Sequence, residues 1–260
     1  MLHRRALLAA APAAVLTGVV PLASAVVPAP AMKADVSICF DSGTLLWVPL
    51  RPIGAPPGLM HRPLRRLENG TFRSGIVTAR EAWSTTTAKK VFNRIQILLM
   101  KGEMHVGDVH MKERSFAVLP PGYVAKIDIA PGAEFLMITD GEPMFETSTL
   151  VGKNPEAIFL HDLVYAKSRM VWRDTETGGT THFVTVPAAW HNDGPEVHPC
   201  QEEIFWLSGD IAPDDIRIMT PGWFLWNPIN SVHGWNLHST DGGTGLEWHD
   251  GLYSRTVVKM

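Results

Sequence analysis

The sequence VTAREAW at residues 77–83 returns as VTVPAAW at residues 184–190, an offset of 107 residues. With that offset held fixed, ILLM at residues 97–100 aligns with IFWL at residues 204–207. Single residues keep the same register: Gly102 aligns with Gly209, Asp108 with Asp215, and Pro121 with Pro228. Because the alignment runs without a gap over residues 77–121, it indicates a tandem duplication, and we place the join near residue 150.

Each copy has the pattern of an all-β unit. Short apolar runs alternate with turn signals such as PPG at residues 120–122 and PG at residues 221–222. No stretch keeps a helical period for a dozen residues. Many short strands at this spacing predict a sandwich or a barrel in each half.

The composition excludes several classes of protein. The 23 basic and 26 acidic side chains give a net charge of −3 without a basic cluster, which argues against nucleic-acid binding. Two cysteines, Cys39 and Cys200, are too few for a disulfide framework or a thiolate zinc site. In an exported chain they could pair, and the sequence leaves that open.

Residues 1–25 have the pattern of a signal peptide. Arg4 and Arg5 precede an uncharged run over residues 6–22, and ASA at residues 23–25 offers small side chains for cleavage. The paired arginines resemble a twin-arginine signal, although His3 stands where Ser or Thr is usual. We therefore expect an exported, periplasmic protein without membrane attachment after cleavage, with residues 26–59 as a linker and N-terminal arm.

Two segments of the second copy carry metal-binding chemistry: EVHPCQEEIFWLSG at residues 196–209 and PGWFLWNPINSVHG at residues 221–234. Glu196 and His198 have the same strand parity and point to one face, whereas Glu202 and Glu203 point to opposite faces. His233 follows a turn that contains proline and would bring a third segment alongside. Two imidazoles and two carboxylates that converge inside a barrel predict a divalent-metal site.

These segments resemble the two motifs of the cupin superfamily, and in particular of ChrR-like cupins, whose first motif runs H-x-H-P-G-G-E-E-I-hydrophobic-x-L-x-G. The matching positions are Pro199, Glu202, Glu203, Ile204, Leu207 and Gly209, then Pro221, Gly222, Pro228 and His233. The resemblance implies a tandem double-stranded β-helix, that is, a bicupin of two jelly-roll barrels. Residues 60–150 would form a degenerate cupin domain without metal ligands, and residues 151–260 a metal-binding one. It also implies a homodimer.

By the same resemblance, His198, Glu202 and His233 are metal ligands. The chain departs from the family at Glu196, which stands where the first histidine is expected. Glu196 either coordinates in its place or leaves a site of three protein ligands with additional water. Fe(II) is the expected ion, Mn(II) also suits the added carboxylate, and a site of three ligands could hold Zn(II).

The first copy lacks these ligands. Subtracting 107 from the four positions leads to Lys89, Val91, Ile95 and Lys126. Two lysines would repel a cation, so we expect the first barrel to be structural, with binding of an anion by the lysines as the alternative.

The second copy also concentrates the aromatic and remaining imidazole side chains. Its tryptophans, some of which we expect to line an apolar ligand pocket, are Trp190, Trp206, Trp223, Trp226, Trp235 and Trp248. His191, His238 and His249 are candidates for positioning a ligand or moving a proton, and Cys200 is expected to be a buried neutral thiol.

Three functions are compatible with this pattern. The first is a metal-dependent dioxygenase that acts on a small carbonyl-containing or aromatic substrate, with Glu196 as a fourth ligand or a base. The second is a non-catalytic extracytoplasmic protein that binds a small molecule or a metal. The third is a catalytically silent structural bicupin. The fold alone does not choose among them.

Overall fold

The computed structural model describes residues 37–148, 153–164 and 167–259. The predicted signal peptide and the linker residues 26–36 lie outside these ranges. One 3-10 turn, Ser42–Thr44, is the only helical segment within them. No helix in the described chain has the length and apolar character needed to cross a membrane.

Twenty-four strands make up the rest of the regular structure in the described residues. Those before residue 150 are β1 (Ile38–Asp41), β2 (Val48–Leu50), β3 (Leu59–Arg66), β4 (Phe72–Ala79), β5 (Trp83–Ser84), β6 (Lys89–Val91), β7 (Ile95–Lys101), β8 (Glu103–Val106), β9 (Val109–Lys112), β10 (Phe116–Leu119), β11 (Val124–Ala125), β12 (Ile127–Ile129), β13 (Glu134–Thr139) and β14 (Phe145–Thr147). Those after it are β15 (Ile158–Leu160), β16 (Arg169–Arg173), β17 (Thr180–Val186), β18 (Trp190–His191), β19 (Glu196–Val197), β20 (Glu202–Gly209), β21 (Trp223–Asn227), β22 (His238–Ser239), β23 (Gly243–His249) and β24 (Thr256–Val257).

Two large antiparallel sheets carry the fold. Their strand orders are β15-β10-β7-β13-β4-β3-β2 and β1-β21-β20-β23-β17-β16. Strands related by the 107-residue offset, β4 with β17, β7 with β20 and β10 with β21, occupy equivalent places in the two sheets. Smaller sheets accompany them: β5-β12-β8-β9 and β11-β6-β14 in the first half, and β18-β22 and β19-β24 in the second. The structure confirms the predicted all-β, tandem double-stranded β-helix.

Each half contributes one edge strand to the large sheet of the other half. β1 pairs with β21, with Ile38 opposite Trp226, and β15 pairs with β10, with Leu160 opposite Phe116. β1 belongs to the predicted N-terminal arm and β15 to the predicted second domain, so the pairing crosses the boundary placed near residue 150. The domain limits themselves stay a prediction.

Side chains along the central strands point alternately to the two faces of each large sheet. One face lines the interior of a barrel, and the other packs in a core between the halves. On β7, Ile97 lies in the first barrel and Leu98 in the shared core, whereas on β20, Trp206 lies in the second barrel and Phe205 in the shared core. Further members of the shared core are Leu64, Ile76, Phe116, Leu136, Phe183, Phe224, Leu246 and Trp248. The two large sheets therefore pack against each other through one continuous apolar layer.

The first barrel is filled. Val91 and Ile95, the counterparts of two predicted ligands in the second half, are buried in its apolar interior. Lys89 donates to a threonine hydroxyl at 2.8 Å, and Lys126 pairs with Asp128 at 2.9 Å. Within its described part, this barrel contains no group of three side chains placed to hold a metal.

A buried ion-pair network joins the halves at Glu203, which is 1% exposed. Arg65 Nη1 lies 2.6 Å and Arg73 Nε 3.2 Å from Glu203 Oε1, and the Ser74 hydroxyl donates to Oε2 at 2.9 Å. Burial alone would raise the pKa of Glu203, but the charges of Arg65 and Arg73 outweigh it and hold the pKa below its ordinary value. The carboxylate is therefore ionised and fully partnered between the sheets.

Replacing Glu203 by Gln leaves buried Arg65 without its ion-pair partner and leaves Arg73 with Asp140 alone. We expect Glu203→Gln to lower the free energy of unfolding by about 3 kcal/mol at pH 7 in urea titrations. Because the folded-state pKa of Glu203 is lowered, the difference from the unsubstituted protein should shrink as acid protonates this carboxyl. Glu146→Gln, which removes half of the exposed Lys90–Glu146 pair, should stay within about 0.5 kcal/mol. Equal effects of the two substitutions would rule out a stabilising role for the buried network.

Candidate metal centre

Backbone hydrogen bonds bring the predicted ligands together. The Glu196 N–H donates to the His233 carbonyl at 2.9 Å, and the His233 N–H donates to the Glu196 carbonyl at 3.0 Å. The Asn230 N–H donates to the His198 carbonyl at 2.9 Å. These three bonds hold the loop after β21 beside the segment around β19, so the rings of His198 and His233 lie 4.9 Å apart.

The carboxylate of Glu202 lies between the two imidazoles. His198 Nε2 is 3.7 Å from Glu202 Oε1, and His233 Nε2 is 3.4 Å from Glu202 Oε2. Glu196 Oε1 is 3.9 Å from His198 Nε2. All four side chains are buried. The structure therefore brings the four predicted residues together, and their binding of a metal stays a prediction.

Both imidazoles are oriented for coordination. His198 Nδ1 donates to the Ser254 carbonyl and His233 Nδ1 to the Ser231 carbonyl, each at 3.0 Å. Because a carbonyl oxygen can only accept, Nδ1 is the donor in each contact, and Nε2 is the ring nitrogen that faces Glu202. Neither buried Nε2 has a hydrogen-bond partner. Unpartnered buried nitrogens beside a carboxylate fit a divalent metal ion, which would satisfy both.

Asn227 fixes the Glu202 carboxylate. Its Nδ2 donates to Glu202 Oε2 at 2.5 Å, and the two residues lie opposite each other on β21 and β20. The amide therefore holds the carboxylate in the orientation that faces the imidazoles.

One carboxylate oxygen of Glu196 has a hydrogen-bond partner outside the predicted ligand set. Its Oε2 accepts a hydrogen bond from Arg255 Nε, and Arg255 also pairs with Asp193. These contacts, first the bond to Asp193 and then that to Glu196, raise the pKa of Arg255 further above its ordinary value. One oxygen of Glu196 is thus held by a guanidinium, and the other points toward His198.

A second group of ligand-type side chains lies beside the first. His182 Nε2 is 2.9 Å and His249 Nε2 3.0 Å from Glu247 Oε1, and His249 Nε2 is 3.6 Å from Glu202 Oε1. Sequence reasoning named His249 only as a positioning or proton-transfer candidate and missed His182 and Glu247. The shared parity of Glu247 and His249 on one strand was the available signal.

Charge is concentrated at this second group. Burial would raise the pKa of Glu247, but the hydrogen bond from His182 and the nearby imidazoles of His182 and His249 outweigh it and hold the pKa well below its usual range. Burial would lower the pKa of His249, but Glu202 and Glu247 outweigh it and raise the pKa to about 9. The two carboxylates therefore favour the charged form of the His249 ring.

The remaining candidates lie outside these two groups of side chains, and of the two further histidines His191 lines the neighbouring cavity. His191 and His238 stack on each other across β18 and β22, with ring centroids 5.5 Å apart. Cys39 and Cys200 are both free thiols. Burial raises the pKa of Cys200 to about 12, in keeping with the neutral thiol expected from sequence.

The candidate centre opens on a cavity of about 680 Å³. Much of its wall is apolar and includes Val186, Trp190, Trp206, Ile211, Met219, Leu225, Trp235 and Leu237. Three of the six tryptophans of the second copy thus line a pocket, as expected for some of them. Trp226 and Trp248 belong instead to the core between the halves.

Both arginines that line this cavity are neutralised by acidic side chains. Arg217 Nε donates to Asp214 Oδ2 at 2.9 Å, while Arg255 is held by Asp193 and Glu196. Asp214 and its hydrogen bond raise the pKa of Arg217. The cavity therefore offers little unpaired positive charge to an anionic ligand.

The contact between Asn227 and Glu202 generates a prediction. Asn227→Ala removes the donor that orients the carboxylate, so it should weaken Mn(II) binding by about 10- to 100-fold in calorimetric titrations. His238→Ala, which alters an imidazole of the stacked pair, should leave the affinity unchanged. An unchanged affinity in Asn227→Ala would show that Glu202 does not need this hydrogen bond to bind the ion.

No known protein family and no curated protein matches the chain. Solved structures do match it. A Nostoc punctiforme protein named a "putative dioxygenase" is similar with a TM-score of 0.72 and 18% identity over 88% of each chain. Oxalate decarboxylase of Bacillus subtilis is similar with a TM-score of 0.52 and 12% identity, over 87% of this chain and 79% of that one. At these identities the likeness shows the fold, and the tandem double-stranded β-helix is the fold that this chain shares with both.

Proposed function

We propose that this protein is an exported, metal-dependent cupin enzyme, a dioxygenase that acts on a small carbonyl-containing or aromatic substrate. The observation that carries the proposal is the pair of buried Nε2 atoms of His198 and His233, which lack partners and face the Glu202 carboxylate beside a large apolar cavity. Fe(II) is the proposed ion, with Mn(II) and Zn(II) as alternatives.

The residues fit such an ion. His198, Glu202 and His233 would hold it, and Glu196 would be the fourth ligand or a base. A bound divalent ion with open positions supplies Lewis-acid chemistry toward a carbonyl and redox chemistry with dioxygen. The Ser254 and Ser231 carbonyls keep the ring tautomers that leave Nε2 free.

The cavity favours a neutral substrate with an apolar body. Trp190, Trp206 and Leu225 present aromatic and aliphatic surface next to the ligands. Arg217 and Arg255 are paired and would have to give up their partners to bind a carboxylate. Oxalate, named in the oxalate decarboxylases, is a small dianion, so we do not extend that activity to this chain.

The non-catalytic alternative uses the same residues for binding without turnover. It predicts tight binding of an apolar small molecule and no consumption of dioxygen. The resemblance to ChrR-like cupins supports both the dioxygenase and the non-catalytic binding protein, because that group includes dioxygenases and metal-binding sensory domains. A measurement of turnover is what distinguishes the two functions.

The test of the activity is dioxygen uptake by the Fe(II)-loaded mature protein with aryl ketones, β-diketones and phenols, and with oxalate as the anionic comparison. We expect uptake with one of the first three classes and none with oxalate. His233→Ala should lower the rate by at least about 100-fold, while His238→Ala should not change it. Binding without any uptake would move the protein to the non-catalytic alternative.

Export and assembly are part of the proposal and rest on the sequence alone. The pattern of residues 1–25 supports periplasmic localisation, and the resemblance to cupins supports a homodimer. The intact mass of the chain recovered from a periplasmic fraction should correspond to a first residue of Val26. A full-length chain in the cytoplasmic fraction would contradict export.

A further inference from the structure

We infer that the second barrel contains another metal site, formed by His182 Nε2, Glu247 Oε1 and His249 Nε2. Each residue offers one ligand atom, and the three ligand atoms lie within 4.8 Å of one another. Two imidazoles and one carboxylate form a ligand set used for Fe(II) and related divalent ions. The site does not depend on the proposed dioxygenase activity, since it requires only that the three side chains bind an ion.

Strand register brings the three side chains together. On β17 and β23, His182 lies opposite Glu247, and on β20 and β23, Glu202 lies opposite His249. Glu247 and His249 are two residues apart on one strand and so face the same side. The backbone ladder therefore holds the ligands in place before any ion arrives.

The His249 ring is prepared for coordination. It is 2% exposed, and its Nδ1 lies 3.1 Å from the Thr180 hydroxyl, which fixes the plane of the ring. Its Nε2 makes no directed hydrogen bond, although Glu247 Oε1 is only 3.0 Å away. A separation of 3.0 Å without hydrogen-bond geometry suits two adjacent ligands of one ion.

The Glu247 carboxylate supports the same assignment. In the described part of the chain, the ion pairs of Glu247 are with His182 and His249, and none is with an arginine or lysine. A buried carboxylate needs a counter-charge. A divalent cation held by the same three groups would supply it and would also contact His249 Nε2, which makes no hydrogen bond.

Glu202 links this site to the first one. Its Oε1 lies 3.7 Å from His198 Nε2 and 3.6 Å from His249 Nε2, and its Oε2 lies 3.4 Å from His233 Nε2. A carboxylate between two groups of ligands is the arrangement of two-metal sites, where one carboxylate contacts both ions. His182, Glu202 and Glu247 also line the cavity, so ions can reach both sites from solvent.

The experiment counts Mn(II) ions per chain by elemental analysis after equilibrium dialysis of the metal-stripped mature protein. We expect two ions for the unsubstituted chain, one for His182→Ala/His249→Ala and one for His198→Ala/His233→Ala. His105→Ala/His110→Ala removes a stacked histidine pair of the first barrel, whose ring centroids are 4.4 Å apart, and should still bind two. In electron paramagnetic resonance, ions that share Glu202 should couple, so the doubly loaded spectrum should differ from the sum of the two single-site spectra.

One ion or none in the unsubstituted chain, or an unchanged count in His182→Ala/His249→Ala, would overturn the second site and leave only a polar network of the three side chains. If that double variant does not fold by circular dichroism, Glu247→Gln, which keeps the side-chain shape, takes its place and should also bind one ion. Loss of the second site with dioxygen uptake intact would leave the proposed function standing. Two bound ions without uptake of dioxygen would support the second site and contradict the proposed dioxygenase activity.

Discussion

The alternation of side chains along β20 is the constraint on which the rest of the structure depends. Successive residues of a strand point to opposite faces, so the adjacent carboxylates Glu202 and Glu203 serve different environments. Glu202 faces the cavity and the imidazoles, while Glu203 faces the other half of the molecule and its two arginines. A slip of one residue would exchange them and leave both unpartnered. The network at Glu203 therefore supports the register that the candidate metal centre requires.

The two barrels show how one strand arrangement supports a filled core and a hollow one. Their large sheets have equivalent strand orders, yet Val91 and Ile95 are buried in the apolar interior of the first, where the second has His198 and Glu202. Imidazole and carboxylate groups cannot be packed into such an interior without partners. The second barrel instead keeps a cavity around them, and the filled barrel supplies the other side of the shared core. The duplication thus places the cavity and its polar side chains in one barrel.

Much of this could be predicted from sequence because it is local. The repeat, the all-β class and the opposite orientations of the Glu202 and Glu203 side chains follow from register and strand parity within one segment. The grouping of His182 with Glu247 could not be predicted in this way, since it depends on which strands are neighbours and in what register. The exchange of β1 between the halves, and the clamp of Arg255 on Glu196, are likewise contacts between segments far apart in the chain. Spacing rules carry no information about such pairs.

The charges around the cavity act at two stages. Before any ion binds, Glu196, Glu202 and Glu247 face one space, and Arg255, shared with Asp193, is the guanidinium that contacts this set. The resulting negative electrostatic field attracts divalent cations and repels anionic ligands. Bound ions would neutralise the carboxylates, and the apolar wall would then be the main feature that an organic ligand meets. A grouping of acids that binds metal would therefore leave selection of the organic ligand to shape and apolar contact, and the proposed neutral, apolar substrate would suit this cavity better than a dianion.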